Sequence, residues 1–162
     1  MNKKSSPESE LRRHQDNLVT IGSGVVTVGV VSMLQLILYF YVNLSEIRNL
    51  MPAEENDTYL NFVMAITFGM ALIGMLMRAY IGFSARAEGK GRKRGFFYVV
   101  LAGLIALLDV CLTVFGLIQL ADPTVFALDM FVTVVFFTVS VITIVQMMVS
   151  AVYVKRASKQ VK

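Results

Sequence analysis

The chain has 162 residues, 56% of them hydrophobic and 16% charged, with a mean hydropathy of +0.67; that is too apolar for an ordinary soluble domain, and the apolar residues fall into four blocks. The net charge of +4 comes from basic residues beside the block ends, where they attract anionic headgroups and set orientation, so no nucleic-acid partner is expected. One cysteine and one histidine exclude an intramolecular disulfide and a cysteine–histidine metal cluster.

Residues 1–17 form a polar tail. Ser6-Pro7 followed by Glu8 and Glu10 predicts a helix start, with Ser6 as N-cap and acids at the positive end of the dipole. A short helix on the membrane surface is expected here, with His14 as a solvated side chain. The first span is placed at 18–42. It is too long for a signal-peptide core and is expected to remain as an anchor. Gly22, Gly24 and Gly29 crowd its first half, which predicts close helix packing there. Gln35 lies deeper and predicts an interhelical hydrogen bond. Tyr39, Phe40 and Tyr41 read as an interfacial aromatic belt.

The connection Asn43–Asp57 is acidic, with Glu46, Glu54, Glu55 and Asp57 against Arg48. It holds two N-x-S/T triplets, at Asn43 and Asn56, and reads as a solvated loop. The second span is placed at 59–84. Its small-residue stripe, Met64, Thr67, Ala71, Gly74 and Arg78, ends on an arginine. Arginines at helix ends commonly snorkel to the headgroups. The sharper alternative is an ion pair with Asp109, across an axial gap of roughly 10 Å at ~1.5 Å per residue.

The basic connection Ala85–Gly95 follows, where Arg86, Lys90, Arg92, Lys93 and Arg94 outnumber Glu88. Fourteen of the fifteen Lys and Arg lie on the tails, on this connection or at adjoining Arg78; Arg48 alone lies on the other side. The positive-inside rule then places both termini and this connection in the cytoplasm, with these five basic residues contacting headgroups there.

The third span, 96–120, has one ionisable residue deep within it, Asp109. An ionised carboxylate at mid-bilayer costs at least ~2.5–3.5 kcal/mol on insertion scales. Asp109 shares a stripe with Ala102, Ala106, Thr113 and Gly116 and is expected to face other helices, with Thr113, Ser140 or Gln146 as partners. Cys111 is read as a small core residue. Asp122-Pro123 predicts a tight turn into the fourth span, 125–154, with Asp122 as its cap. That span carries its own stripe, Asp129, Thr133, Phe136, Ser140, Thr143, Met147 and Ser150. Lys155, Arg156, Lys159 and Lys162 close the chain as a basic tail.

The expected fold is all-α: a polytopic integral membrane protein with four transmembrane helices in an antiparallel up-down bundle, in the plasma membrane. No glycine-rich phosphate loop, histidine pair or nucleophile–base set is present, so no enzyme, cofactor or metal is expected, and no catalytic, cofactor-binding or metal residues are assigned. Two functions fit the pattern. The first is a structural, regulatory or accessory membrane subunit that packs against itself or a membrane-protein partner. The second is a small oligomeric transporter or channel in which Asp109 binds a proton or cation. Arg78, Asp109, Thr113, Asp129, Ser140 and Gln146 are the candidate site in either case. The topology predicts that a cysteine introduced between residues 50 and 55 reacts with a membrane-impermeant thiol reagent from outside intact cells, whereas one placed between Lys90 and Arg94 reacts only after lysis. Labelling of both from one side would overturn it.

Overall fold

The computed structural model describes residues 7–49, 56–121 and 128–160, with backbone alone at 7, 43, 45–49, 56, 57, 128, 129 and 158–160. These residues form four helices: α1 (Pro7–Asn49), α2 (Asn56–Gly89), α3 (Phe97–Leu120) and α4 (Leu128–Gln160). All four are long and apolar enough to cross a membrane. A helix satisfies its backbone hydrogen bonds internally, which hydrocarbon demands of any segment within it. The shortest, α3 with 24 residues, is about 36 Å long at ~1.5 Å per residue, against a hydrocarbon core of ~30 Å. α1, with 43 residues, reaches about 65 Å on the same basis and extends well past such a core.

Burial is inverted relative to a water-soluble protein. Leu104, Leu107 and Ile118 of α3, Phe62 and Met70 of α2 and Val149 of α4 stand exposed on the outer surface, while Arg78, Ser84, Glu88, Asp109, Ser140 and Ser150 are buried. The apolar core is built from Leu18, Val25, Ile81, Ala85, Tyr98, Val99, Ala102, Ile144, Met147 and Ala151. These positions cluster in the half of the molecule that holds the α2–α3 connection.

Glycines set the closest approach, between α1 and α2. A Cβ on Gly22 would lie 2.7 Å from the Gly82 carbonyl oxygen, one on Gly89 would lie 2.7 Å from that of Gln15, and one on Gly82 would strike the Gly22 carbonyl. As residue numbers rise along α1 they fall along α2, so the two helices run in opposite directions at this contact. Gly22 and Gly29 on one side, and Gly82 and Gly89 on the other, recur at seven residues and keep one bare stripe on each helix. Gln35 Nε2 donates to Thr133 Oγ1 at 3.0 Å, joining α1 to α4, as the polar exception in the first span predicts.

Four features differ from the sequence reading. The predicted surface helix is not separate, because α1 runs unbroken from Pro7; no glycine or proline stands between residue 8 and the first apolar turns to break it. Ser6, Asp122 and Pro123 lie outside the described residues, as do Glu54 and Glu55. The acidic connection is shorter than expected, since α1 continues through Asn43 to Asn49 and α2 begins at Asn56. The basic connection is shorter too. α2 continues to Gly89 and ends in a Schellman motif: Gly91 has φ +80°, its N–H donates to the Glu88 carbonyl at 2.9 Å, and Arg92 N–H donates to the Ala87 carbonyl at 3.0 Å. Lastly, Cys111 is exposed on the outer face and is not a core residue; it lies two positions from Asp109, on the other side of α3.

Gly82→Ala is expected to destabilise the protein by about 1–3 kcal/mol, because its methyl meets a carbonyl that cannot rotate away. Gly69, where an added Cβ meets nothing within 4 Å, is the control, and Gly69→Ala is expected to be neutral or stabilising. Thermal unfolding of both variants in one detergent checks the order.

Candidate functional site

The site begins with Arg78 on α2. Helical Cα–Cβ bonds tilt toward the N-terminus, so the side chain runs back along its own helix, and a Cβ on Gly74 would lie 3.5 Å from Arg78 Nη1. Gly29 of α1 leaves space for the stem; a Cβ there would lie 3.1 Å from Arg78 Cβ and 3.6 Å from Cδ. Two glycines on two helices thus form the slot through which the arginine passes.

At the end of that slot stands Asp109 of α3. Arg78 Nη2 donates to Asp109 Oδ1 at 2.6 Å, and Ser140 Oγ of α4 donates to Oδ2 at 2.6 Å. Asp109 is fully buried and Arg78 is 8% exposed. One carboxylate therefore joins three helices, with each oxygen accepting from a different one, and the fourth helix forms the wall. Short charge-assisted bonds of this kind are the strong ones. Arg78 Nε is buried with no partner, so the guanidinium holds Asp109 through one nitrogen, not a two-pronged fork.

Depth makes the pairing possible. Arg78 stands eleven residues before the end of α2 at Gly89, and Asp109 twelve residues after the start of α3 at Phe97. The axial gap expected from the shorter spans closes because α2 extends a further turn and more. Arg78 accordingly turns away from the helix end and does not snorkel.

The other candidate residues fall differently. Thr113 Oγ1 donates to the Asp109 backbone carbonyl at 2.7 Å, one turn back on its own helix, and leaves the carboxylate alone. Gln146 is exposed and does not meet Asp109. Asp129 lies on α4, and its side chain is outside the described set. Arg86, Lys90, Arg92, Lys93 and Arg94 are all exposed.

A second polar cluster escaped the sequence reading. Glu88, counted there as one acid in a basic loop, is buried on the last turn of α2. It accepts a hydrogen bond from Tyr98 of α3 and pairs with Lys155 of α4 at 2.8 Å. Lys155 Nζ also donates to the carbonyls of Arg94 at 2.9 Å and Gly95 at 3.4 Å and stands 5.3 Å from the centre of the Tyr98 ring. The signal available was the isolation of Glu88 among five cations; its burial depends on α2 continuing to Gly89. Nearby, His14 stacks on Tyr153 with ring centres 4.0 Å apart, and Tyr153 donates to Glu10 at 2.9 Å. His14 is half-buried with Nδ1 unpartnered, and so is not the solvated side chain expected: with α1 unbroken, its first turns pack against the end of α4.

Among the described residues no group of three or more His, Cys, Asp or Glu is placed to hold a metal ion. No protein-family model matches the chain, and comparison with curated proteins and with solved structures finds no significant match.

Removing one member of the buried pair strands the other. Arg78→Met and Asp109→Leu are each expected to cost about 3–5 kcal/mol, and the two combined are expected to be less harmful than either. Ser140→Ala is expected to cost about 1–3 kcal/mol. A double-mutant cycle on thermal stability measures the coupling, and additive losses would show that the two groups do not act together.

Proposed function

We propose that this chain is a structural, regulatory or accessory subunit of a membrane assembly, with Arg78, Asp109 and Ser140 as the fastening that sets the relative depth of its helices. The proposed arrangement is an antiparallel up-down bundle in the plasma membrane. Both termini and the basic α2–α3 connection lie on the cytoplasmic side, facing anionic headgroups.

The observation that carries this reading is the burial of Asp109 with both of its oxygens engaged. A carboxylate that carries protons or cations needs a path to water and an oxygen that the passing ion can reach. Here both oxygens already accept short hydrogen bonds from side chains of neighbouring helices, and the residue has no exposed surface. A buried ionic network of this sort serves best as a device that fixes register. The outer faces supply the second half of the reading. They are apolar along all four helices, and little of the described chain lies outside the helices, which leaves the helix faces as the main surface a partner can use. In a bilayer such faces associate by packing and by polar contacts, without a hydrophobic driving force between helices.

Purification of the tagged chain from its native membrane in a mild detergent tests this. A stoichiometric partner is expected to co-purify and to be lost from Arg78→Met, which loosens the helices. A homo-oligomer without a partner that conducts protons or cations in proteoliposomes, and stops conducting on Asp109→Asn while remaining folded, would establish the transporter reading instead.

A further inference from the structure

At the end of the molecule that holds the α2–α3 connection, a cavity of about 870 Å³ opens between that connection, the last turns of α4 and Gln15 of α1. Its chemistry is two-sided. Arg92, Lys93 and Arg94 from the connection and Arg156 from α4 bring four cations to it, while Phe96 and Val152 give it an apolar wall.

Among the described residues, nothing neutralises those cations. Glu88 is the acid on the cavity lining, and it is already held by Tyr98 and Lys155. None of Arg92, Lys93, Arg94 and Arg156 is held in an ion pair with a described residue. Like charges gathered on one cavity lining repel one another, and an anion among them reduces that cost.

The backbone that presents them is fixed. The Schellman turn at Gly91 sets where the connection leaves α2, and Lys155 holds the Arg94 and Gly95 carbonyls from α4. A pre-set cationic rim loses less freedom on binding than a floppy loop would. Phe96, on the cavity wall, is also the N-cap residue of α3, which has no side-chain cap and no acid in its first turn. The positive end of that helix dipole faces the same side of the molecule as the cations and adds to their pull on an anion.

A small inorganic anion would use the cations and have no need of the wall. A phosphate carrying acyl chains uses both, and basic pockets between helices at the cytoplasmic side of a membrane are where such headgroups bind. We propose that this cavity binds the phosphate of an anionic phospholipid, with Arg92, Lys93, Arg94 and Arg156 around the phosphate and Phe96 and Val152 against the start of the acyl chains. The proposal rests on the membrane embedding described above and is independent of the role given to Asp109.

Native mass spectrometry of the full chain in a neutral detergent, titrated with phosphatidylglycerol or phosphatidylcholine, tests it. Phosphatidylglycerol is expected to bind at least about tenfold more tightly than phosphatidylcholine. The triple variant Arg92→Gln/Arg94→Gln/Arg156→Gln is expected to lose that preference. The control Arg12→Gln/Arg86→Gln/Lys90→Gln removes the same charge from residues that do not line the cavity and is expected to keep that preference within about twofold, because the bound phosphate is held by the lining cations and not by the overall charge of this end of the molecule. Val152→Trp fills the wall without changing charge and is expected to weaken phosphatidylglycerol binding, which keeps the test open if the triple variant does not fold. Equal losses in the cavity and control variants would overturn the proposal in favour of diffuse attraction. Full displacement of the lipid by millimolar inorganic phosphate would overturn it in favour of a free anion. Neither result alters the membrane reading, which the labelling of introduced cysteines tests separately.

Discussion

A carboxylate placed in hydrocarbon can be matched only by what the protein itself brings to it, and in this chain nearly everything else is arranged around that demand at Asp109. The matching groups come from different helices, Arg78 from α2 and Ser140 from α4. Each of α2, α3 and α4 can therefore slide along its axis only by breaking a short charge-assisted bond in a medium with no substitute. The small residues serve the same end. Gly29 and Gly74 clear the path of the arginine, and the approach of α1 to α2 at Gly22 and Gly82 brings the wall of that path close. Loss of packing at the glycines and loss of the ion pair are two ways of disturbing one arrangement.

Much of this was legible in the sequence, for identifiable reasons. Spans announce themselves because hydrocarbon requires long apolar runs, and the inward face of α3 was readable because Ala102, Ala106, Asp109 and Gly116 share one stripe at helical spacing. All four are buried. What was not legible is where helices end once they leave the apolar run. Hydropathy marks the edge of the hydrocarbon, whereas a helix stops where its backbone finds a cap. α2 passes through Ser84, Ala85 and Arg86 to a glycine cap at Gly91, and that extension brings Arg78 level with Asp109 and buries Glu88. The same ambiguity governs His14, which is drawn onto Tyr153 because α1 begins ten residues before Asn17 ends the polar tail. Cys111 and Gln146 show a different limit. Small or amide side chains inside a span carry no charge to force them inward, and both face out.

The two polar clusters divide the labour along the membrane normal. The one at Asp109 is small and deep, while the one at Glu88 ties together the ends of α2, α3 and α4 and reaches the backbone of the connection through Lys155. The apolar core lies mostly in the half of the molecule that holds the second cluster. In the other half, Leu34, Leu38, Phe62, Phe115 and Ile118 remain exposed. Large apolar side chains are exposed in the first half as well, Phe83, Phe97, Val100 and Val149 among them, so the two halves differ in how tightly their interior is knit and not in the character of their outer surface.

The partners of Asp109 stand 31 residues to either side of it along the chain, and the ribosome makes them in turn. At about 5–20 residues per second, Arg78 exists for roughly 2–6 s before Asp109 is added, and as long again passes before Ser140. During the first interval the apolar run of the second helix carries a cation with no acid inside that run. Left alone in hydrocarbon, that cation carries an insertion cost of about 2.5–3.5 kcal/mol, which the arrival of Asp109 offsets. Entry of the second and third helices together, as a hairpin, is the order of events that avoids this cost.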